Sequence, residues 1–231
     1  MNPPGHNFVY RNCEDALFYL PKEISNYGDE IYSDQVNATE ENVLGLEMIG
    51  VNIQILNWSD RSEALKKFGY NLEFAEQDFK DRINPEKVNP GEAINYDTSG
   101  VLKPYIYSKS GRLSYTYSER MHPQLSMIIE NLKKHPGSRQ SYLSIWHPNS
   151  DGRFLEKRRV PCSIGYHFLL RNDELHMLYL MRSMDANKCF GYDIYTSSKL
   201  LEYISDELYV DRGFLHMFIG SAHIFKGENI E

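Results

Sequence analysis

Residues 159–195, RVPCSIGYHFLLRNDELHMLYLMRSMDANKCFGYDIY, contain the pattern that decides the fold. Large apolar side chains alternate with smaller or polar ones through 164–170 and again through 175–181, with the polar run RNDE between them. This alternation predicts two antiparallel β-strands joined by a tight turn. Such a hairpin would bring the thiol of Cys162 and the guanidinium of Arg182 to the same end of a sheet. The stretch therefore predicts a nucleophile beside an anion-binding group.

A lone cysteine at the start of an apolar strand is more often a small buried hydrophobic residue than a nucleophile. The motifs around Cys162 favour the nucleophile because of the order in which they occur. Pro161 and Cys162 precede the hairpin, Arg-Ser-x-Asp follows it at 182–185, and Asp193 then opens an amphipathic helix. The sequence Gly-Ser-Ala-His-Ile-Phe at 220–225 completes the series. This order resembles the thymidylate synthase family, which includes the dCMP hydroxymethylases, and the match spans most of the chain.

Length and composition predict one domain, residues 1–231, with a substantial hydrophobic core. Hydrophobic residues make up 41% of the sequence, which is typical of an ordered globular protein. The net charge of −7 argues against a nucleic-acid polymer as partner, because backbone binding depends on massed Lys and Arg. Cys13, Cys162 and Cys189 lack the spacing of a zinc site or a disulfide framework, so no metal is expected. Neither a signal peptide nor an apolar run of about 18 residues is visible, which predicts a cytoplasmic protein without membrane contact.

The rest of the sequence predicts an α+β fold. Alternating apolar residues predict one long or bulged strand over 39–56. Segment 84–111 contains Pro-Gly and Ser-Gly steps, which predict a long loop of the kind that often lines sites. The resemblance implies a thymidylate synthase-like mixed sheet with helices on one face, and a homodimer formed sheet to sheet through the other. Helical spacing of apolar residues predicts helices at 14–24, 62–80 and 124–134 and from Asp193 onward.

A thiol is needed because C5 of a pyrimidine is a weak nucleophile on its own. Addition of a thiolate at C6 gives C5 the character of an enamine carbon, which attacks a one-carbon donor. We expect Arg182 to stabilise the thiolate of Cys162 across the hairpin. The resemblance implies that Arg182 and Ser183 also bind the phosphate of a pyrimidine nucleoside monophosphate, joined by Arg139 from a second subunit.

The identity of residue 193 is expected to determine which pyrimidine base the protein binds. As the opening residue of a helix, Asp193 is consistent with a simple N-cap. Ungapped comparison from Arg-Ser-x-Asp instead places Asp193 where the thymidylate synthases carry an asparagine that faces uracil. An ionised aspartate only accepts hydrogen bonds, so it suits the amino group of cytosine and disfavours the carbonyl of uracil. The dCMP hydroxymethylases carry the same exchange, which favours a cytosine nucleotide, dCMP or CMP, over dUMP.

Further site residues follow from the resemblance. Glu76 matches a helix glutamate that manages proton transfer around the pyrimidine, although its position also fits a solvated helix residue. Tyr117 matches a tyrosine in a hydrogen-bond network near the nucleophile, in a sequence that contains 17 tyrosines. Binding of the co-substrate 5,10-methylenetetrahydrofolate is implied for Asp185 and for Phe79. His223 matches a histidine near the sugar 3′-hydroxyl.

Several positions depart from the family pattern. Two arginines that bind phosphate in the family are replaced by Gln35 and Gln140, and each charge-assisted hydrogen bond is worth roughly 1.5–3 kcal/mol. The loss of both arginines weakens phosphate binding by several orders of magnitude unless Lys157, Arg158 or Arg159 compensates. No C-terminal segment that would close over folate is recognised. The other departures are Cys189 for a glycine, His167 for a glutamine and Phe225 for a tyrosine.

Three functions remain open on the sequence. The first is a C5 hydroxymethyltransferase acting on a cytosine nucleotide, and the second is a C5 methyltransferase acting on dCMP or dUMP. The third is a non-catalytic member of the family that binds a nucleotide or a protein partner, which predicts no covalent adduct at Cys162. The first two differ in whether tetrahydrofolate or dihydrofolate is released. Small size and the departures from the family pattern suggest a bacteriophage protein.

Overall fold

The computed structural model describes residues 5–33, 40–152 and 160–227. Within these ranges, seven strands form one mixed sheet. They are β1 (His6–Tyr10), β2 (Asp29–Tyr32), β3 (Val43–Ile55), β4 (Tyr142–Ser144), β5 (Ser163–Arg171), β6 (Glu174–Asp185) and β7 (Asp211–Phe225). The order across the sheet is β1-β3-β7-β6-β5-β4, and β2 pairs with β3 beside β1. Two neighbouring pairs, β1 with β3 and β6 with β7, are parallel.

The helices lie against one face of this sheet. They are α1 (Cys13–Tyr27), α2 (Arg61–Lys67), α3 (Leu72–Ile83), α4 (Tyr117–Met121), α5 (Gln124–Lys134), α6 (Pro148–Asp151) and α7 (Phe190–Leu208). Alternate residues of β6 show the two faces, because Met177 and Tyr179 are fully buried whereas His176 and Leu178 are partly exposed. The helices α1 and α7 contact the central strands on the buried side. The α+β fold with a mixed sheet is therefore confirmed.

The predicted hairpin is present as β5 and β6. The strands pair antiparallel from Arg171 opposite Glu174 down to Ser163 opposite Met181. The turn consists of Asn172 and Asp173, whose φ angles of 52° and 62° are both positive. Two consecutive left-handed residues match the twist of paired strands, and Asn and Asp tolerate this conformation better than most residues. The local sequence therefore fixes the register that brings Cys162 to Arg182.

The long strand predicted over 39–56 is confirmed as β3, of 13 residues. It keeps one register with β7, from Gly45 opposite Phe225 to Ile55 opposite Leu215. Residue 39, where the predicted strand begins, lies outside the described residues. The strand β3 thus supports β7, which carries His223 at the site.

Segment 84–111 is mainly irregular, as predicted, with short 3₁₀ turns at Glu92–Tyr96 and Lys103–Tyr105. The carboxylate of Asp97 holds it in place. Its Oδ1 accepts a hydrogen bond from the backbone N–H of Val101 at 2.9 Å, and its Oδ2 accepts from Leu102 at 2.7 Å. Fixed in this way, the loop forms one wall of the site.

The predicted helix over 62–80 is wrong, because the structure has two helices there, α2 and α3. Gly69 separates them with a φ of +74°, a left-handed conformation that costs glycine little. Asn71 then starts α3, and its side chain accepts a hydrogen bond from the N–H of Phe74 at 3.1 Å. Within α3, Glu76 is exposed, whereas Asp78 lines the cavity of the site.

The helix α7 begins at Phe190, so Asp193 lies in its first turn and is not its N-cap. The N-cap is Cys189, which makes no side-chain capping bond. The carboxylate of Asp193 accepts a hydrogen bond from the hydroxyl of Tyr179 on β6 instead. The capping alternative is therefore wrong, and the carboxylate is available to the site.

Candidate active site

A cavity of about 470 Å³ lies where β5 begins and β6 ends. A larger groove, of about 780 Å³ beside Lys67 and Tyr70, contains none of the predicted site residues. The smaller cavity brings together most of them, so we take it as the candidate active site. Its predicted members are Tyr117, Cys162, Arg182, Ser183, Asp185, Asp193 and His223.

Cys162 is exposed at this cavity, with a cation and a hydroxyl beside its sulfur. Its Sγ lies 3.9 Å from Nη2 of Arg182 and 3.7 Å from Oγ of Ser183. The backbone N–H of Arg182 donates to the carbonyl of Cys162 at 2.8 Å, which is the last link of the hairpin ladder. The hairpin therefore holds a guanidinium and a hydroxyl next to an accessible thiol.

The guanidinium of Arg182 is held in a fixed orientation. Its Nε donates to the carbonyl of Pro161 at 2.8 Å, and its Nη1 donates to Oγ of Ser183 at 3.0 Å. Both Arg182 and Ser183 face the cavity, so together they offer donors to an anion. The arrangement suits a phosphate next to the thiol.

Cys189 lines the same cavity but differs from Cys162 in its surroundings. Burial raises the pKa of the Cys189 thiol well above its usual value. A thiol held protonated is a poor nucleophile. The accessible Cys162 is therefore the candidate nucleophile of the two.

The hydroxyls of Tyr117, Ser163 and Tyr179 form a chain of hydrogen bonds that ends at Asp193. The Oη of Tyr117 lies 2.8 Å from Oγ of Ser163, and that Oγ lies 2.6 Å from Oη of Tyr179. Tyr179 donates to Oδ1 of Asp193 at 3.3 Å. We call Tyr117, Ser163 and Tyr179 the hydroxyl network. Ser163 directly follows Cys162, so this network connects the nucleophile's strand to the carboxylate predicted to select the base.

Burial raises the pKa of Asp193 to about 7. The guanidinium of Arg82 and the hydrogen bond from Tyr179 act in the opposite direction, because both stabilise the carboxylate. Burial has the larger effect. Asp193 is therefore present in both protonation states near neutral pH.

Sequence reasoning missed an ion pair on α3. Nη2 of Arg82 lies 2.7 Å from Oδ2 of Asp78, and the side chains are only 10% and 15% exposed. The guanidinium carbon also lies 4.0 Å from the ring centroid of Tyr117. Both charged residues line the cavity. Their i, i+4 spacing was the available signal, since it places both on the helix face that carries Phe74.

The structure does not bring Glu76, Phe79 or Arg139 to the cavity. Glu76 is exposed on α3, and Phe79 is buried against α7 with Nζ of Lys199 5.9 Å from its ring centroid. Neither Glu76 nor Phe79 lines the cavity, whereas Asp78 is the carboxylate of α3 that faces it. Arg139 is exposed elsewhere, and its carbonyl lies 3.0 Å from Nε2 of His167. Gln35 and residues 157–159 lie outside the described ranges.

Asp185 and His223 lie opposite each other on β6 and β7. Oδ1 of Asp185 accepts hydrogen bonds from the N–H groups of Asn187 at 3.1 Å and Lys188 at 2.8 Å, which fixes the turn into α7. The ring of Tyr192 lines the cavity on the same side. Tyr192 is itself buried and packs edge-to-face with Tyr70 and Phe74, so Asp185 is the group here suited to a heterocycle with N–H donors.

The family model described as thymidylate synthase matches residues 32–229, which is most of the sequence. The chain belongs to the thymidylate synthase family. Members of this family transfer a one-carbon unit to C5 of a pyrimidine nucleotide, with methylenetetrahydrofolate as co-substrate.

Similar proteins agree with this membership. A protein from Methanosarcina mazei named "Putative thymidylate synthase" is 27% identical over 187 residues, covering 78% of this chain and 83% of its own. A protein of the same name from Methanocaldococcus jannaschii is 31% identical over 155 residues, covering 64% of this chain and 70% of its own. Among solved structures, thermostable thymidylate synthase A from Bacillus subtilis matches with a TM-score of 0.63 at 15% identity, covering 93% of this chain and 80% of that one. That likeness shows the shared fold.

Two features are not found in the part of the chain that the structure describes. No helix there is long and apolar enough to cross a membrane. No group of His, Cys, Asp and Glu side chains in these ranges is arranged to hold a metal ion.

Proposed function

We propose that this family member transfers a hydroxymethyl group to C5 of a cytosine nucleotide, dCMP or CMP. The single observation that carries the proposal is the placement of Asp193 in the same cavity as Cys162. A carboxylate accepts from the amino group of cytosine, where an asparagine amide would serve uracil. One cavity thus contains the nucleophile and a group suited to one base.

Cys162 acts through addition to the pyrimidine. Its thiolate adds to C6, and the electron pair of the C5–C6 double bond moves to C5, which then bonds to the donated methylene carbon. The hydrogen at C5 then leaves as a proton while the bond between the methylene carbon and the folate nitrogen breaks, which releases tetrahydrofolate and leaves an exocyclic methylene group on C5. Water then adds to the exocyclic methylene carbon, and Cys162 leaves C6 as the double bond re-forms. The product carries a hydroxymethyl group at C5.

Arg182 has two functions in this proposal. Its guanidinium, 3.9 Å from Sγ, stabilises the thiolate, and with Ser183 it binds the substrate phosphate. His223, on the opposite side of the cavity from α3, contacts the sugar. Asp78 takes the proton-transfer function that the sequence had assigned to Glu76, because Asp78 is the carboxylate of α3 that lines the cavity.

The co-substrate 5,10-methylenetetrahydrofolate supplies the one-carbon unit when bound. Asp185 suits a pterin, because a carboxylate at the cavity accepts from its N–H groups. Phe79 has no part in this contact because it is buried outside the cavity.

A homodimer completes the phosphate site in this proposal. Arg139 is exposed and lies outside the cavity of its own chain, so it is free to reach the phosphate of a second subunit. The partly exposed apolar side chains of the helix-free sheet face, such as Leu178, Leu180 and Phe218, are suited to sheet-to-sheet packing.

The proposal is tested by tritium release from [5-³H]dCMP, [5-³H]CMP and [5-³H]dUMP with methylenetetrahydrofolate. We expect release from a cytosine nucleotide, loss of release in Cys162→Ala, and retained release in Cys13→Ala, whose thiol lies in α1 outside the cavity. Product analysis should show a hydroxymethyl base and tetrahydrofolate. A methyl base with dihydrofolate would instead identify a methyltransferase. Absence of release from all three nucleotides would contradict the enzymatic function and favour a nucleotide-binding protein.

A further inference from the structure

The ionised carboxylate of Asp193 determines which hydroxyl donates in each hydrogen bond of the hydroxyl network. An ionised carboxylate only accepts, so Tyr179 must donate its single hydrogen to Oδ1. Ser163 then donates to Tyr179, and Tyr117 donates to Ser163, because each hydroxyl has one hydrogen to give. Burial raises the pKa values of Tyr117 and Tyr179 well above the usual value, so both remain donors.

As a result, the two carboxyl oxygens of Asp193 differ in their hydrogen bonding. Oδ1 is occupied by the hydrogen of Tyr179, whereas Oδ2 has no hydrogen-bond partner among the residues that the structure describes. While Tyr179 donates to Oδ1, a proton added to Asp193 binds to Oδ2. Since Asp193 lines the cavity, Oδ2 is the oxygen left for a bound base.

We propose that Asp193 is a two-state base selector, and that the hydroxyl network leaves its Oδ2 oxygen for the base. When the carboxyl is ionised, Oδ2 accepts from the amino group at C4 of a cytosine nucleotide. When it is protonated, Oδ2 donates to the carbonyl at C4 of a uracil nucleotide. The inference rests on the proposed function and extends its substrate class from one base to two.

The charges around Asp193 keep both states accessible. Burial raises its pKa to about 7, with Arg82 and the hydrogen bond from Tyr179 opposing and the carboxylates of Asp78 and Asp185 adding to the rise. The neutral groups that also interact with Asp193 are Tyr117, Tyr166 and Cys189. The remaining charged or titratable side chains that line the cavity are Cys162, Arg182, Lys188 and His223, together with the hydroxyls of Tyr105, Tyr115 and Tyr192.

The test is the ratio of the dissociation constants for dCMP and dUMP, measured by calorimetry from about pH 6 to about pH 8. We expect the preference to move toward dCMP as the pH rises, by up to about tenfold per pH unit. The ratio cancels effects common to both nucleotides, such as ionisation of the phosphate or of Cys162. Binding is measured without the co-substrate, so turnover is not required.

Variants separate the hydroxyl network from a general pH effect. Tyr179→Phe removes the donor to Oδ1, which weakens the ionised form and should move the midpoint of the ratio up by about one pH unit. Ser163→Ala should move it less in the same direction. Tyr195→Phe is the control, because it removes a hydroxyl from the same helix outside the cavity, and we expect no shift.

The outcomes distinguish this inference from the proposed function. A constant ratio that favours dCMP at every pH would overturn the two-state selector and leave the cytosine proposal intact. A pH-dependent ratio whose midpoint is the same in Tyr179→Phe would overturn the role of the hydroxyl network. Failure to bind dCMP, together with no tritium release, would overturn both.

Discussion

Asp78 and Arg82 form an ion pair one turn apart on α3, with 2.7 Å between Oδ2 and Nη2, inside the wall of the cavity. Arg82 is also the cation that stabilises the carboxylate of Asp193. One buried guanidinium thus balances two carboxylates of the site. Its removal would leave negative charge in a poorly solvated place.

We therefore expect Arg82→Gln to destabilise the protein by about 3–5 kcal/mol, because breaking a buried ion pair leaves an unpaired charge. Urea unfolding measures this change. Lys67→Gln is the matched control, since it breaks an exposed pair with Glu14 and should cost less than about 1 kcal/mol. An equal effect of the two variants would contradict the structural role of Arg82.

Asp193→Asn should move the base preference toward dUMP. An amide donates to the C4 carbonyl of uracil and offers the amino group of cytosine a less favourable partner. Loss of one satisfied hydrogen bond costs about 1–3 kcal/mol, which is roughly fivefold to 150-fold in the ratio of kcat/KM for dUMP and dCMP. An unchanged ratio would show that residue 193 does not contact the exocyclic group.

Asp193 should also make stability depend on pH. Its pKa is about 7 in the folded protein and about 3.9 in an unfolded chain. As the pH rises between these values, the unfolded chain loses its proton first, so the free energy of unfolding falls until about pH 7. Urea unfolding at about pH 5 and about pH 8 should show this fall, and Asp193→Asn should reduce it. A fall of the same size in the variant would assign the effect to other groups.

Arg182→Gln should weaken the binding of nucleotides more than that of nucleosides. Each charge-assisted hydrogen bond from Arg182 to phosphate is worth roughly 1.5–3 kcal/mol. A nucleoside has no phosphate, so its binding free energy does not include this contribution. Calorimetry with dCMP and deoxycytidine measures the difference. An equal loss for both ligands would mean that Arg182 supports the cavity without binding phosphate.

Mixing two inactive variants tests whether Arg139 acts across a dimer. In a heterodimer of Cys162→Ala with Arg139→Gln, one site has both an intact thiol and an intact arginine from the other subunit. Random pairing at equal amounts gives about a quarter of the wild-type sites. Recovery of tritium release to about that level would support the shared site. No recovery, with exchange of subunits shown by mass spectrometry, would exclude it.

The sequence predicted the hairpin and the placement of Cys162 beside Arg182 because strand alternation and a two-residue turn are local signals. Apolar spacing and resemblance did not reveal that Asp78, and not Glu76, is the carboxylate of α3 that lines the cavity. Ser163 was missed because the partners of a small hydroxyl depend on strands and helices distant in sequence. Asp193 was found through resemblance, whereas its bond to Tyr179 required the fold.

The turn at Asn172 and Asp173 lies at the opposite end of the hairpin from the thiol. Cys162 and Asn172 are ten residue steps apart, and at about 3.4 Å per step the separation is roughly 34 Å. Both turn residues are exposed, so the tip of the hairpin offers an attachment point for a fluorophore or an affinity tag that leaves the chemistry undisturbed. A one-residue insertion within β6 would do the opposite, since it would turn Arg182 to the other face of the sheet.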